Sequence, residues 1–310
     1  MDQFRERIDP ELLSWYDASN GFDFEHLETF VPAANAAELT ALTPDPEVFA
    51  YDKIIPGPDG NPELKLRIYE PVGRKDLRPC VLFFHGGGFL FGTVYRQEKL
   101  CQRYVKHVNC VVVSVEYRLA PKYKSPAPIE DGYAALCWLE KHGKEVGVDA
   151  AKIALAGLSA GGTIVAALAM MARDRKGPGL CLQIPLYAEL DHRLETVSAQ
   201  EVQSPKVWCY ETNRLSWELY LTHTDLNPYA VPALATDLSH LPPLFSYVGG
   251  LDPVRDENLT YWSRMMQSGI AVEAHTFPGC YHCFELSAPE AHYSKTAYEL
   301  TYAAMRRAFA

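Results

Sequence analysis

The sequence predicts an α/β fold in which helices flank a mostly parallel central sheet and further helices form a cap above it. Short apolar runs bounded by turn residues alternate with longer stretches of helical period. The runs are apolar throughout rather than at every second residue, as a sheet covered on both faces requires. Strand–helix alternation of this kind implies right-handed crossovers within a single doubly wound sheet.

Taken in order, residues 1–48 precede the first strand and carry Trp15, Tyr16, Phe22, Phe24 and Phe30. Cys80–Phe84 reads as a buried strand and runs into three glycines. A helix over Gln97–His107 leads to a strand at Val111–Val115. A second helix, Ala127–His142, leads to the strand Ile153–Ala156, and a third, Ala160–Arg173, to Leu180–Pro185. Residues 188–240 then break the rhythm and contain Trp208, Tyr210, Trp217 and Tyr220. Strand Leu244–Val248, helix Asp256–Gln267, strand Ala271–Phe277 and a terminal helix complete the chain. An interruption of about fifty residues is too long to be structureless inside a compact domain. Both interruptions are therefore expected to be helical and to pack together as a lid over the carboxyl edge of the sheet. The alternative, residue by residue, is that their aromatics fill ordinary core. The division expected is residues 1–48 as the first part of the cap, 49–187 as the first part of the core, 188–240 as the cap insertion and 241–310 as the rest of the core.

At 310 residues the chain is long enough to bury a large core without disulfide or metal staples. Apolar residues make up 48% and charged residues 22%, ordinary for a globular enzyme. The polar start, Met1 to Pro10, contains no apolar run suited to a signal peptide, and no stretch approaches a membrane span, so a cytoplasmic protein is expected. A formal net charge of −10 without Lys/Arg clusters argues against nucleic acid as a partner and, more weakly, against a strongly anionic substrate. The eight cysteines are scattered, which suits reduced, buried side chains. Cys280-Tyr281-His282-Cys283 encloses a histidine in a CxxC, but no second ligand pair stands at a spacing suited to zinc. A redox-active pair is the other reading of that motif.

Gly157-Leu158-Ser159-Ala160-Gly161 follows a predicted strand directly and opens a helix of small and apolar residues. A serine on such a turn is held in a strained backbone conformation, with its hydroxyl exposed above the sheet and helix N–H groups beside it. The alternative is a plain glycine turn, and the strand-before, helix-after context favours the nucleophile. Upstream, His85-Gly86-Gly87-Gly88-Phe89 ends another strand. Acyl transfer needs N–H donors fixed where an oxyanion develops, and Gly86, Gly87 and Ala160 are the candidate donors. His85 is expected to order the loop by hydrogen bonding. With a nucleophile on this turn, the acid and then the histidine follow later in the chain. Asp252 lies just past the strand Leu244–Val248, at the carboxyl edge where ligand sites are built. Asp256 and Glu257 compete with it but fall in the first turn of the next helix, where acids complement the dipole. Among ten histidines, His282 stands in a loop after the last strand, whereas His275 lies within the strand and His292 at the start of a helix. Ser159, Asp252 and His282 are thus the candidate catalytic residues. Phe89, Tyr187 and Trp208 are the candidate substrate contacts.

These residues resemble the hormone-sensitive-lipase-like branch of the α/β-hydrolases, from about residue 50 to the end. The resemblance rests on four ordered motifs: His85 to Phe89, Tyr117-Arg118-Leu119-Ala120-Pro121, Gly157 to Gly162, and Asp252-Pro253-Val254-Arg255-Asp256-Glu257. It implies carboxylic ester hydrolysis without a cofactor, a helical cap built from the N-terminus and an insertion, and dimers through the edge strand near the C-terminus. Two positions depart from the family pattern. Leu158 precedes the serine where Asp is usual, and Cys283 follows the histidine where Gly is usual. Glu130-Asp131 matches an acidic pair expected to support the loops of the site.

The reading that results is a serine esterase for small, neutral esters of short to medium acyl chain. An amidase or acyltransferase would use the same three residues. A non-catalytic small-molecule receptor on the same fold is a further class, and such receptors tend to lack one of them.

Overall fold

A computed structural model describes residues 3–23, 26–40, 43–58, 62–221 and 226–310. Eight strands form one sheet: β1 (Val48–Ile55), β2 (Leu64–Pro71), β3 (Arg78–Phe84), β4 (Val111–Val115), β5 (Val148–Leu158), β6 (Leu182–Leu186), β7 (Leu244–Gly249) and β8 (Val272–Phe277). Their order across the sheet is β1-β2-β4-β3-β5-β6-β7-β8. The β1–β2 pair and the β2–β4 pair are antiparallel, and the remaining neighbours are parallel.

The helices are α1 (Leu13–Ala18), α2 (Leu27–Thr40), α3 (Glu98–Val108), α4 (Ala127–His142), α5 (Ala160–Asp174), α6 (Val197–Glu201), α7 (Tyr210–Tyr220), α8 (Arg255–Gln267), α9 (Phe284–Ser287) and α10 (His292–Phe309). Alternation along the strands divides the core between the two faces of the sheet. Val81 and Phe83 of β3 join Leu100 and Tyr104 of α3 and Tyr302 of α10 on one side. Leu82 and Phe84 join Ile129 and Leu136 of α4, with Ile164 and Leu168 of α5, on the other. Such two-sided burial explains why β3 and β4 are apolar without alternation. β1 is different: only its end residues Val48 and Ile55 are buried, and Phe49 and Ile54 are exposed. The periodic rule for buried strands therefore does not find it, and the β1–β2 hairpin is the part of the sheet the sequence reading leaves without strand assignments.

The two interruptions of the rhythm do carry helices, α1 and α2 before the sheet and α6 and α7 within residues 188–240. The segments also touch. The Tyr16 hydroxyl and Ser204 Oγ lie 2.7 Å apart, Ser19 Oγ donates to the Lys206 carbonyl, and Phe22 meets Trp208 edge-on at 5.5 Å. Trp217 and Tyr220 are buried in the core, so for these two the ordinary packing role holds. Phe24 lies outside the described residues.

The junction between β5 and α5 has no room to spare. A Cβ on Gly161 would lie 2.2 Å from the Phe84 carbonyl oxygen, and one on Gly157 the same distance from the Gly161 carbonyl oxygen. Both obstacles are backbone. Gly161→Ala is expected to lower stability by about 1–3 kcal/mol or more, the usual cost of overpacking. A urea-denaturation midpoint equal to that of the unmodified chain would contradict this close packing.

Candidate active site

Ser159 occupies the turn between β5 and α5 with φ 54° and ψ −122°, a region rarely adopted outside glycine. Its own N–H donates to the Leu186 carbonyl of the neighbouring strand, and its carbonyl accepts from Gly162 and Thr163 in the first turn of α5. The strained residue is thus anchored on both sides. β3 lies beside β5, so the glycine-rich segment leaving Phe84 arrives next to the turn. The N–H groups of Gly86, Gly87 and Ala160 donate to no protein acceptor among the described residues. His85 sits beneath that segment. Its Nδ1 bonds the Gly86 carbonyl at 2.9 Å, and the Tyr117 hydroxyl donates to the His85 carbonyl at 2.7 Å. Burial pushes the His85 imidazole down to about 3, so it stays neutral and orders the loop.

Asp252 and His282 approach from the ends of β7 and β8. These two segments are cross-tied: Leu251 N–H donates to the Cys280 carbonyl, and Gly250 N–H to that of Phe277. Asp252 is wholly buried, accepts from Val254 N–H through Oδ1 and meets His282 Nδ1 through Oδ2 at 2.8 Å. His282 Nε2 lies 2.9 Å from Ser159 Oγ. The three side chains thus form one hydrogen-bonded chain. Burial opposes a charge on His282, but the Asp252 carboxylate, with Cys283 beside it, holds the ring well above its ordinary value. The competing residues point elsewhere. Asp256 is paired with Arg255 and accepts from Ser198 N–H, Glu257 accepts from Leu190 N–H, and His275 lies 3.4 Å from Glu273.

Ser159 and His282 open onto a cavity of about 260 Å³. Phe22, Phe91, Trp208, Val207 and Leu158 supply much of its wall, and Gly86 and Gly87 its rim beside the serine. Trp208 stacks against the His282 ring at 6.0 Å. Of the three substrate contacts read from the sequence, only Trp208 reaches this cavity. Phe89 is instead stacked face to face on Tyr220 at 3.8 Å, inside the core, because φ 59° turns its side chain away from the glycines. Tyr187 is buried behind the histidine, with its ring edge-on to His282 at 5.0 Å and its hydroxyl bonded to Glu285. The unusual Leu158 makes the wall next to Ser159 apolar, and Cys283, in the left-handed region at φ 58°, also lines the cavity. Burial pushes the Cys280 thiol up, which disfavours the thiolate that redox exchange requires.

Two acids near the site do not figure in the sequence reading. Glu189, just past β6, has Oε1 at 2.8 Å from Ser159 Oγ. Glu285, in α9, accepts from the Tyr187 hydroxyl. Glu189 stands past the carboxyl end of a core strand, the same positional signal that selects Asp252. That signal could have raised it as a candidate.

A serine on a strained strand-to-helix turn, hydrogen-bonded to a histidine and through it to an acid at the carboxyl edge of a mostly parallel sheet, is the arrangement of an α/β-hydrolase. A family model described as the alpha/beta hydrolase fold matches residues 81–286. The esterase LipI of Mycobacterium tuberculosis is 39% identical over 238 residues, 74% of this chain and 73% of the relative. An arylesterase of Saccharolobus solfataricus is 32% identical over 89% of this chain and 92% of its own length. The structure of a bacterial heroin esterase superposes with a TM-score of 0.93 at 36% identity, covering 98% of this chain and 99% of the other. The chain belongs to the α/β-hydrolase family, in its hormone-sensitive-lipase-like branch, and is a carboxylesterase. Among the described residues no helix is long and apolar enough to cross a membrane.

Glu285 ties the site to stability. Burial lifts its carboxyl to about 7, against the pull of the Tyr187 hydroxyl bond. A folded-state value above the unfolded one means stability that is full below about pH 4.5 and lost as pH rises through about 7. Glu285→Gln, neutral throughout and still able to accept from Tyr187, is expected to match the unmodified chain at pH 5. At pH 8 it should exceed it by on the order of 1–3 kcal/mol. Melting curves at the two pH values check this, and an equal deficit at both would contradict it.

Proposed function

We propose that Ser159, His282 and Asp252 carry out ester hydrolysis as nucleophile, base and orienting acid on small, neutral esters of short to medium acyl chain. The observation that carries the reading is the chain of hydrogen bonds from Asp252 Oδ2 through the imidazole to Ser159 Oγ, at 2.8 and 2.9 Å, on the wall of an apolar cavity. Ser159 Oγ bonds to the acyl carbon as its proton passes to His282 Nε2. The oxyanion that forms accepts hydrogen bonds from the N–H groups of Gly86, Gly87 and Ala160, which have no protein acceptor to give up. On collapse the bond to the alkoxide breaks, and the Nε2 proton leaves with the alcohol. Water then repeats the sequence on the acyl-enzyme and returns free Ser159 and the acid. Asp252 fixes the ring tautomer and offsets the imidazolium charge.

Cavity size and wall chemistry support the substrate class. A space of about 260 Å³ lies below the usual range for drug-sized ligands, and its largely aromatic wall suits apolar groups, with Arg96 a charged side chain among the lining residues. The contacts between Phe22 and Trp208, one from each interruption of the sheet rhythm, support a cap assembled from residues 1–48 and 188–240 that closes over the ester. Cytoplasmic action on a small dissolved ester is the corresponding cellular reading.

Ser159→Ala should lower kcat by at least about 10⁴-fold, and Asp252→Asn by about 10⁴-fold through the wrong tautomer. Hydrolysis of p-nitrophenyl esters of increasing acyl length tests both, with activity falling at long chains. Turnover that survives Ser159→Ala would sink the assignment. A rate that climbs steadily to long acyl chains would instead sink the closed, small cavity.

A further inference from the structure

The reaction as described leaves one buried group in contact with its nucleophile unused. Glu189 is fully buried, with Oε1 at 2.8 Å from Ser159 Oγ and Oε2 at 3.1 Å from Ser216 Oγ of α7. Ser216 Oγ is in turn 2.8 Å from the Gly88 carbonyl, within the glycine segment. The backbone carbonyl of Glu189 accepts from the Thr163 hydroxyl in α5, which holds the residue in place.

Counting protons separates the states of this cluster. Ser159 has a single hydroxyl proton, and both His282 Nε2 and Glu189 Oε1 stand within reach of it. An ionised Glu189 is acceptor-only and binds a donor more strongly than a neutral ring does. It draws the Ser159 proton away from the base. A protonated Glu189 can donate to Ser159 Oγ, and the Ser159 proton is then left to His282, the arrangement acyl transfer needs.

We propose that Glu189 is a positioning acid for Ser159, holding the hydroxyl toward His282 when its own carboxyl carries a proton. This rests on the Ser159–His282–Asp252 reading. The surrounding charges suit the protonated form. Burial lifts the Glu189 carboxyl to about 7, while hydrogen bonds from Ser159 and Ser216 and the nearby His282 pull it down. Asp252, past β7, opposes a further negative charge, and Glu257, in α8, is a neighbouring acid that burial keeps out of the carboxylate range. Along its own chain Asp191 is paired with Arg193 at 2.5 Å, and His192 Nδ1 lies 4.0 Å from that Asp. An active site of this kind needs His282 neutral and Glu189 protonated together, so activity falls on both sides of an optimum.

The test is kcat and KM against pH for p-nitrophenyl acetate, read at the isosbestic point of the product, on the unmodified enzyme, Glu189→Gln, Ser216→Ala and Ser159→Ala. The unmodified enzyme should show a bell whose alkaline limb falls roughly tenfold per pH unit. In Glu189→Gln the side-chain amide replaces the acid proton permanently. Its alkaline limb should disappear. Ser216→Ala keeps the acid but removes a donor to its ionised form, so the alkaline midpoint should move to higher pH. This variant serves if Glu189→Gln fails to fold. A flat alkaline plateau in the unmodified enzyme, an unchanged alkaline limb in Glu189→Gln, or an unmoved midpoint in Ser216→Ala would overturn the proposal. If Ser159→Ala is inactive while those profiles are unchanged, only the role of Glu189 fails. Activity in Ser159→Ala would bring down the triad and this inference together.

Discussion

At Ser159 an L-residue is held at φ 54°, where backbone and Cβ crowd each other and the cost is of order 1–3 kcal/mol. The surroundings over-determine that conformation. β5 enters from the middle of the sheet, α5 leaves at once with Ser159 as its cap, and the hydrogen bond to Leu186 pins the turn to β6. Glycine at 157 and 161 lets strand and helix approach closely, and it also brings the start of α5 against the carbonyl of Phe84. That contact puts the glycine segment within reach of the serine. The rest of the site is arranged around this one strained residue, because Asp252 and His282 need only come to the same edge of the sheet on the next strands.

Electrostatics then decides which species the site tolerates. Asp252, Glu189 and Glu285 are buried near His282, and Glu257 is buried beside Glu189. Burial lifts Glu189, Glu257 and Glu285 out of the usual carboxylate range, so they serve more readily as neutral hydrogen-bonding acids than as charges. Asp252 differs in having the imidazole as its partner at 2.8 Å.

The segments outside the sheet rhythm add a second layer of constraint. Trp208 packs on the His282 ring, Ser216 holds the Gly88 carbonyl, and Asn35 of α2 accepts from Gly92 N–H at 2.9 Å just beyond the glycine segment. Elements far apart in the chain are thus bonded to the glycine segment that follows β3 and its neighbours. Changes in these segments can alter the reaction as well as the fit of the substrate.

The strands that are buried on both faces were legible because their physics is local: an apolar run, a turn, a helical period. The same holds for the nucleophile turn, and for preferring Asp252 and His282, since chain order and position at a strand's end already separate them from Asp256, His275 and His292. β1 escaped because an edge strand is exposed to water over most of its length, which erases the continuous apolar pattern. Phe89 and Tyr187 were misjudged as substrate contacts because sequence adjacency to a motif does not say which way a side chain turns. One lies under Tyr220 and the other behind His282. Glu189 carried the same strand-end signal as Asp252, but its place 2.8 Å from Ser159, thirty residues away along the chain, came only from packing. By itself the sequence determined the fold class, the hydrolytic chemistry and the order of its candidate residues, all of which are written in local patterns. Tertiary structure alone decided the size of the cavity, the direction of each aromatic and the competition for one serine proton, because these depend on distances that only packing creates.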